Sequence, residues 1–260
     1  MRLTTADGVE IAYQDSGGDG EPTLFLHGIT ECTEVWRPVL DRLGERRIIT
    51  LDLRGHGASG PAERYDLGAM AADVGAVLEA TGISGSAHLV GHSLGAMVAT
   101  AVGASVPVAS IVNVDQSLRL GDFKAQLTRM ENELRDPATF AATLDAHFAK
   151  LAGERLPAAE RARLEALRRA DAEVVLGIWA LSFSSTETEL NGVVEDALAG
   201  YAGREVPYLT IFGEEPEAGY DDWLRTFVAC SSSECWPGHG HHPHLVDPDR
   251  FVDRLRAFWG

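Results

Sequence analysis

Short apolar runs alternate with amphipathic stretches along most of the chain. "VEIAYQDS" (9–16), "PTLFLHG" (22–28) and "RIITLDLRGHG" (47–57) are compact runs closed by glycine or by a polar residue. "LGAMAADVGAVLEATG" (67–82) has helical spacing, and "AHLVGHS" (87–93) returns to the run texture before a small-residue stretch, "LGAMVATAVGA", that predicts a helix from residue 94. Runs of this kind between helical periods mark strands covered on both faces, as in a parallel sheet of strand–helix–strand units. The texture resumes at "VASIVNVDQ" (108–116), "VPYLTIFGEE" (206–215) and "SSECWPG" (232–238).

Residues 117–203 have a different texture. They are rich in Ala, Leu, Arg and Glu at helical spacing, as in "AERARLEALRRADAEVVLGIWALSF" (159–183), and are broken by Pro137 and Pro157 with no strand-like run. This predicts an insertion of three to five helices over the sheet. The expected organisation is a core of 1–116 and 204–260 with a helical cap of 117–203.

With 260 residues, 45% of them hydrophobic, the chain can bury the core of one large α/β unit. Against 22 basic residues stand 39 acidic ones, a net charge of −17 spread along the chain, which repels phosphate backbones and anionic lipid. Neither nucleic acid nor membrane is an expected partner. The three cysteines, Cys32, Cys230 and Cys235, are expected as free thiols. With no cationic and apolar leader and no long apolar run, the reading is a cytoplasmic protein, monomer or homodimer. There are no internal repeats or low-complexity tracts.

The candidate chemistry begins at "LVGHSLGAM" (89–97). If 87–90 is a strand and a helix starts at Leu94, Ser93 occupies a sharp strand-to-helix turn. Gly91 and Gly95 are then needed because side chains there would collide, and the strained turn lifts the Ser93 hydroxyl above the sheet edge. The helix N-terminus faces the same point with positive partial charge, and the Leu94 N–H supplies half of an oxyanion hole.

From these residues onward the chain resembles the α/β-hydrolase superfamily, nearly end to end. His27-Gly28 after an apolar strand resembles the family's oxyanion-loop motif, and "DLRGHGASG" (52–60) its loop after the next strand. The order and spacing of these stretches relative to "GHSLG" make the match specific. The resemblance implies a mostly parallel, eight-stranded sheet flanked by helices, a serine esterase-like activity, and an Ile29 N–H that joins that of Leu94 at the oxyanion. It also implies a histidine after the last strand. "WPGHGHHPHLVDPDRF" (236–251) holds four, and its pattern puts His241 in the catalytic position with His242 as neighbour competitor. His27, His56, His88 and His92 read as structural.

For the third member of a triad the family pattern points three residues past Gly213, where this chain has Pro216 after Glu214 and Glu215. Asp115, at the end of the preceding strand, is the favoured acid and Glu215 the alternative. Four clustered histidines also suggest a metal, but no C-x-x-C, H-E-x-x-H or facing carboxylate cluster accompanies them in the sequence, so neither metal nor cofactor is expected. Trp36, Phe123, Trp179 and Phe183 are candidate substrate-pocket residues, with Phe140 and Phe148 as further insertion aromatics. An apolar lining without a basic patch suggests a small to medium, neutral, largely apolar ester as the small-molecule substrate. The same residues leave open a cofactor-free dioxygenase, a C–C bond hydrolase, or a small-molecule receptor.

Overall fold

A computed structural model of the chain describes every residue except Ser84 and Ser86. Its eight strands are β1 (Arg2–Thr4), β2 (Glu10–Asp15), β3 (Pro22–Leu26), β4 (Arg47–Leu51), β5 (His88–His92), β6 (Ser110–Val114), β7 (Tyr208–Phe212) and β8 (Ser231–Cys235). They form one sheet in the order β1-β2-β4-β3-β5-β6-β7-β8. β2 pairs antiparallel with both β1 and β4, and every other neighbouring pair is parallel. The seven apolar runs in the sequence are β2 to β8. The edge strand β1, "RLT", is too short and too exposed to carry such a run.

Every residue of β5, β6 and β7 is buried, which is why these strands read as continuous runs rather than alternating ones. Their side chains still alternate between faces. Leu24, Leu26, Leu89 and Ile111 join one apolar cluster with Val74, Val98 and Val102. Phe25, Val90 and Val112 join the other with Trp36, Trp236 and Phe251.

The helices are α1 (Arg37–Leu43), α2 (Leu67–Ala80), α3 (Leu94–Ser105), α4 (Gly121–Arg135), α5 (Phe140–Leu151), α6 (Ala158–Leu167), α7 (Ala172–Ile178), α8 (Ala180–Ser184), α9 (Glu187–Leu198), α10 (Tyr220–Phe227), α11 (Pro243–Val246) and α12 (Pro248–Trp259). Residues 117–203 thus hold six α-helices, α4 to α9, rather than the three to five expected. The excess arises where the sequence reads as one helical stretch. Arg168 leaves the helix at ψ 133, and the Asp171 side chain caps a new start by accepting from the amides of Glu173 and Val174. Trp179 then separates α7 from α8. α9 packs against α3 of the core layer.

From β3 the chain moves outward to β4 and then returns to the other side of β3 as β5. This reversal opens a crevice at the carboxyl ends of the strands, the usual ligand position in such sheets. The loops after β3, β5, β6 and β8 carry Ile29, Ser93, Asp115 and His241 to that end.

Candidate active site

Among the described residues three that are not glycine have positive φ, namely Thr30 (65°), Ser93 (51°) and Asp115 (55°), and all three sit on these loops. Left-handed backbone costs a residue with a side chain energy that surrounding structure must hold in place. At Ser93, with ψ −118, the constraint is tight packing. A Cβ on Gly91 would lie 2.2 Å from the Gly95 carbonyl oxygen, and one on Gly95 would lie 2.3 Å from that of Leu26. The G-x-S-x-G spacing is therefore steric. Among the described residues the amides of Ile29 and Leu94 meet no acceptor, and they are available for a developing oxyanion.

His241 is fixed from two sides. Its amide donates to the Leu151 carbonyl at the end of α5 (2.8 Å), and its Nδ1 donates to Asp115 Oδ2 at 2.7 Å. The other oxygen, Oδ1, accepts the Gly213 amide at 2.7 Å. The Asn113 side chain closes the turn that aims Asp115, accepting the Gln116 amide (3.1 Å) and donating to the Gln116 carbonyl (2.8 Å). With the proton on Nδ1, Nε2 of His241 is left as an acceptor. Glu215 is exposed. Its carboxylate instead lies beside Cys235, whose thiol is pushed up to about 11 by burial and by Glu215 and Glu214.

Ser93 and His241 line one narrow cavity with Ile29, Thr30, Glu31 and His242. Glu31 is not legible in the sequence as a site residue, yet it ties the loops together. Its Oε2 accepts the Gly28 amide (2.8 Å) and His92 Nδ1 (3.1 Å), and its Oε1 accepts His242 Nε2 (3.1 Å). His92 Nε2 donates to the His241 carbonyl at 2.8 Å. Burial alone would push the Glu31 carboxyl up, but the charge of His92 and the bonds from both histidines hold it well below the usual range. The Glu31 carboxylate in turn overcomes the burial of His92 and raises it, so that both of its nitrogens donate. His242, buried with Nδ1 unpartnered, is pushed down to about 4 and stays neutral. The only sequence signals for this network are a carboxylate four residues after His27 and a histidine directly before Ser93. Glu31, His92 and His242 are also the one group among the described residues whose donor atoms, within 4.8 Å of one another, have metal-ligand spacing. Both Glu31 oxygens and both His92 nitrogens are already engaged in hydrogen bonds.

The expected pocket residues fall elsewhere. Trp36 is fully buried against Phe25, His244 and Phe251, at the end of the short turn Thr33–Trp36 and within the apolar cluster of Phe25, Val90 and Val112. Phe123 and Trp179 pack edge to face on each other, 6.1 Å between centres, and Phe183 lies under the Arg135 guanidinium. None of the four lines the Ser93 cavity. Phe148 does, with Arg168, and both also line an adjoining cavity of about 480 Å³. "DLRGHG" is structural. Asp52 accepts the Thr33 and Ala58 amides at 2.8 Å each, and Arg54 is paired with buried Asp73. His27 is buried likewise, with Nε2 accepting the Leu53 amide.

The buried histidines make stability depend on pH. His56, His147 and His242 are each pushed down to about 4, chiefly by burial. Below their unfolded value near 6.5 the unfolded chain binds protons that the folded chain refuses, so stability falls as pH drops from 6.5 to 4. Glu31, being lowered, adds a further loss below about 4.5. His92, being raised, acts oppositely and loses its contribution as pH climbs through its folded value. The melting temperature is expected to peak near neutrality and fall steadily toward pH 4 in a thermal scan. A flat profile from pH 7 to 4 would contradict these assignments.

Residues 23–254 match the Alpha/beta hydrolase family. Over 98% of its length the chain is 26% identical to the sn-1-specific diacylglycerol lipase ABHD11 of Danio rerio, covering 84% of that protein. It is 40% identical over 97 residues to the bifunctional esterase/perhydrolase DCH of Acinetobacter calcoaceticus, which is 36% of this chain and 35% of that one. Other curated relatives of similar identity are also matched over only 29% to 36% of their length. The solved structure of the esterase RhEst1 from Rhodococcus sp. ECU1013 superposes with a TM-score of 0.70 at 26% identity, covering 100% of this chain and 98% of that one.

Proposed function

The chain belongs to the alpha/beta hydrolase family, and from that premise we propose that it is a serine hydrolase that cleaves a small to medium carboxylic ester through an acyl-enzyme on Ser93. The observation that carries the reading is the convergence on one cavity of a strained Ser93 and a His241 whose Nδ1 is bonded to Asp115 at 2.7 Å. Ser93 Oγ attacks the ester carbonyl as His241 Nε2 takes its proton. The carbonyl π electrons move to oxygen, where the amides of Ile29 and Leu94 meet the negative charge. Collapse breaks the C–O bond, and the alcohol leaves with the proton from Nε2. Water then repeats the sequence on the acyl-enzyme and releases the acid. Asp115 stays ionised throughout, holding the tautomer and stabilising the imidazolium. The cavity of about 480 Å³ beside the site is of a size to hold the substrate's remaining group.

With p-nitrophenyl esters from acetate to decanoate, a burst of about one nitrophenolate per chain followed by slower turnover is expected. Failure to turn over any member would overturn the reading. An acid after β6 is also compatible with a cofactor-free dioxygenase, so the same assay in an oxygen electrode, with aromatic heterocycles added, is expected to show no oxygen uptake.

A further inference from the structure

Phe148, Arg168 and His242 line both the narrow cavity at Ser93 and the larger one beside it, so they stand where a bound ester would pass from its reacting carbon to its remaining chain. Arg168 is the permanent cation among them. Its side chain is 17% exposed, and its one carboxylate partner among the described residues is Asp145, reached by Nη1 at 3.4 Å. Asp145 is itself 69% exposed, and a long pair with a solvated carboxylate contributes little. A guanidinium has five N–H donors, and the others meet no acceptor among the described residues. Its carbon lies 4.6 Å from the centre of the Phe148 ring, which fixes the plane of the fork and excludes water from one face.

The backbone holds this fork at a set offset from the reacting centre. The Arg168 amide closes α6 on the Leu164 carbonyl (3.0 Å), and the Arg169 amide donates to the carbonyl of Thr30 (2.9 Å), the residue after Ile29. The second guanidinium of the larger cavity, Arg161, is committed through Nη2 to the Gly153 carbonyl. Glu165, the other acid of the lining, is exposed at its rim. A largely desolvated fork with open donors is unfavourable unless an acceptor fills it, and its planar geometry matches a carboxylate through two parallel hydrogen bonds.

Resting on the reading of Ser93 as an ester nucleophile, we infer that the substrate is anionic, a half-ester whose free carboxylate docks on the Arg168 fork while its apolar chain lies against Phe148 and Leu164. This replaces the neutral ester suggested by the sequence. The net charge of −17 disfavours an anion at long range, so a preference for one has to come from this local donor.

The test compares p-nitrophenyl hydrogen adipate with p-nitrophenyl hexanoate, which exchange a terminal carboxylate for a methyl. The wild-type ratio of kcat/KM, adipate over hexanoate, is expected to be at least about tenfold. Arg168→Met brings the ratio to about one, and Arg168→Lys leaves it intermediate because the ammonium keeps the charge and loses the fork. Arg169→Met, at an exposed neighbour, changes the net charge equally and keeps the wild-type ratio. A wild-type ratio at or below one overturns the inference. So does an equal loss on both esters in Arg168→Met, which would mark a structural role. A calorimetric arm with Ser93→Ala separates this inference from the esterase reading by comparing monomethyl adipate with methyl hexanoate. If no ester is turned over, tighter binding of the adipate that disappears in Ser93→Ala/Arg168→Met still upholds the subsite, and equal affinities overturn it.

Discussion

Ser93→Ala is expected to lower kcat for ester hydrolysis by about four to six orders of magnitude while leaving the fold intact. The loss is large because the hydroxyl forms the covalent bond that divides the reaction into two easier steps. A residual rate above that in water persists, since the Ile29 and Leu94 amides and the binding cavity remain. The substituted alanine inherits the same positive φ, so strain in the turn is unchanged and stability should move by no more than about 0.5 kcal/mol. Single-turnover kinetics beside a urea titration would separate the two effects.

Asp115→Asn carries the second-largest effect, a fall in kcat of about 10⁴-fold by comparison with the same substitution in other triads. The carboxylate only accepts, which forces the His241 proton onto Nδ1. An amide can offer its NH₂ there instead, and this favours the tautomer whose Nε2 carries the proton and cannot take one from Ser93. The Gly213 amide keeps an acceptor if the remaining carbonyl oxygen turns to it, so the loop after β7 need not move. Glu215→Gln, at an exposed position away from His241, is expected to change kcat less than about twofold. The kinetic pair, measured on one ester, distinguishes the two candidate acids of the sequence. Equal losses in both variants would contradict the assignment.

Much of this frame is legible before folding because it depends on local constraints. Gly91 and Gly95 signal a turn too tight for a side chain, and the buried runs of β5 to β7 signal a sheet covered on both faces. What escapes is set by tertiary approach. Glu31 reads as an acid in a loop, and only the meeting of the β3, β5 and β8 loops makes it the shared acceptor of His92, His242 and Gly28. Trp36 follows the oxyanion loop closely in sequence, yet the turn that contains it directs the ring into the core. Phe148 and Arg168 belong to helical stretches whose spacing does not say which side faces the crevice. The helix breaks at Arg168 and Trp179 carry no proline or glycine at the break itself, so periodicity alone runs them together.

The proposed mechanism requires that Ser93 become acylated during turnover. Quenching the reaction with a p-nitrophenyl ester in its burst phase and weighing the intact chain tests this directly. One acyl group per chain is expected, mapped by peptide sequencing to Ser93 and absent in Ser93→Ala. An unmodified chain during sustained turnover, or an acyl group on another residue, would contradict it.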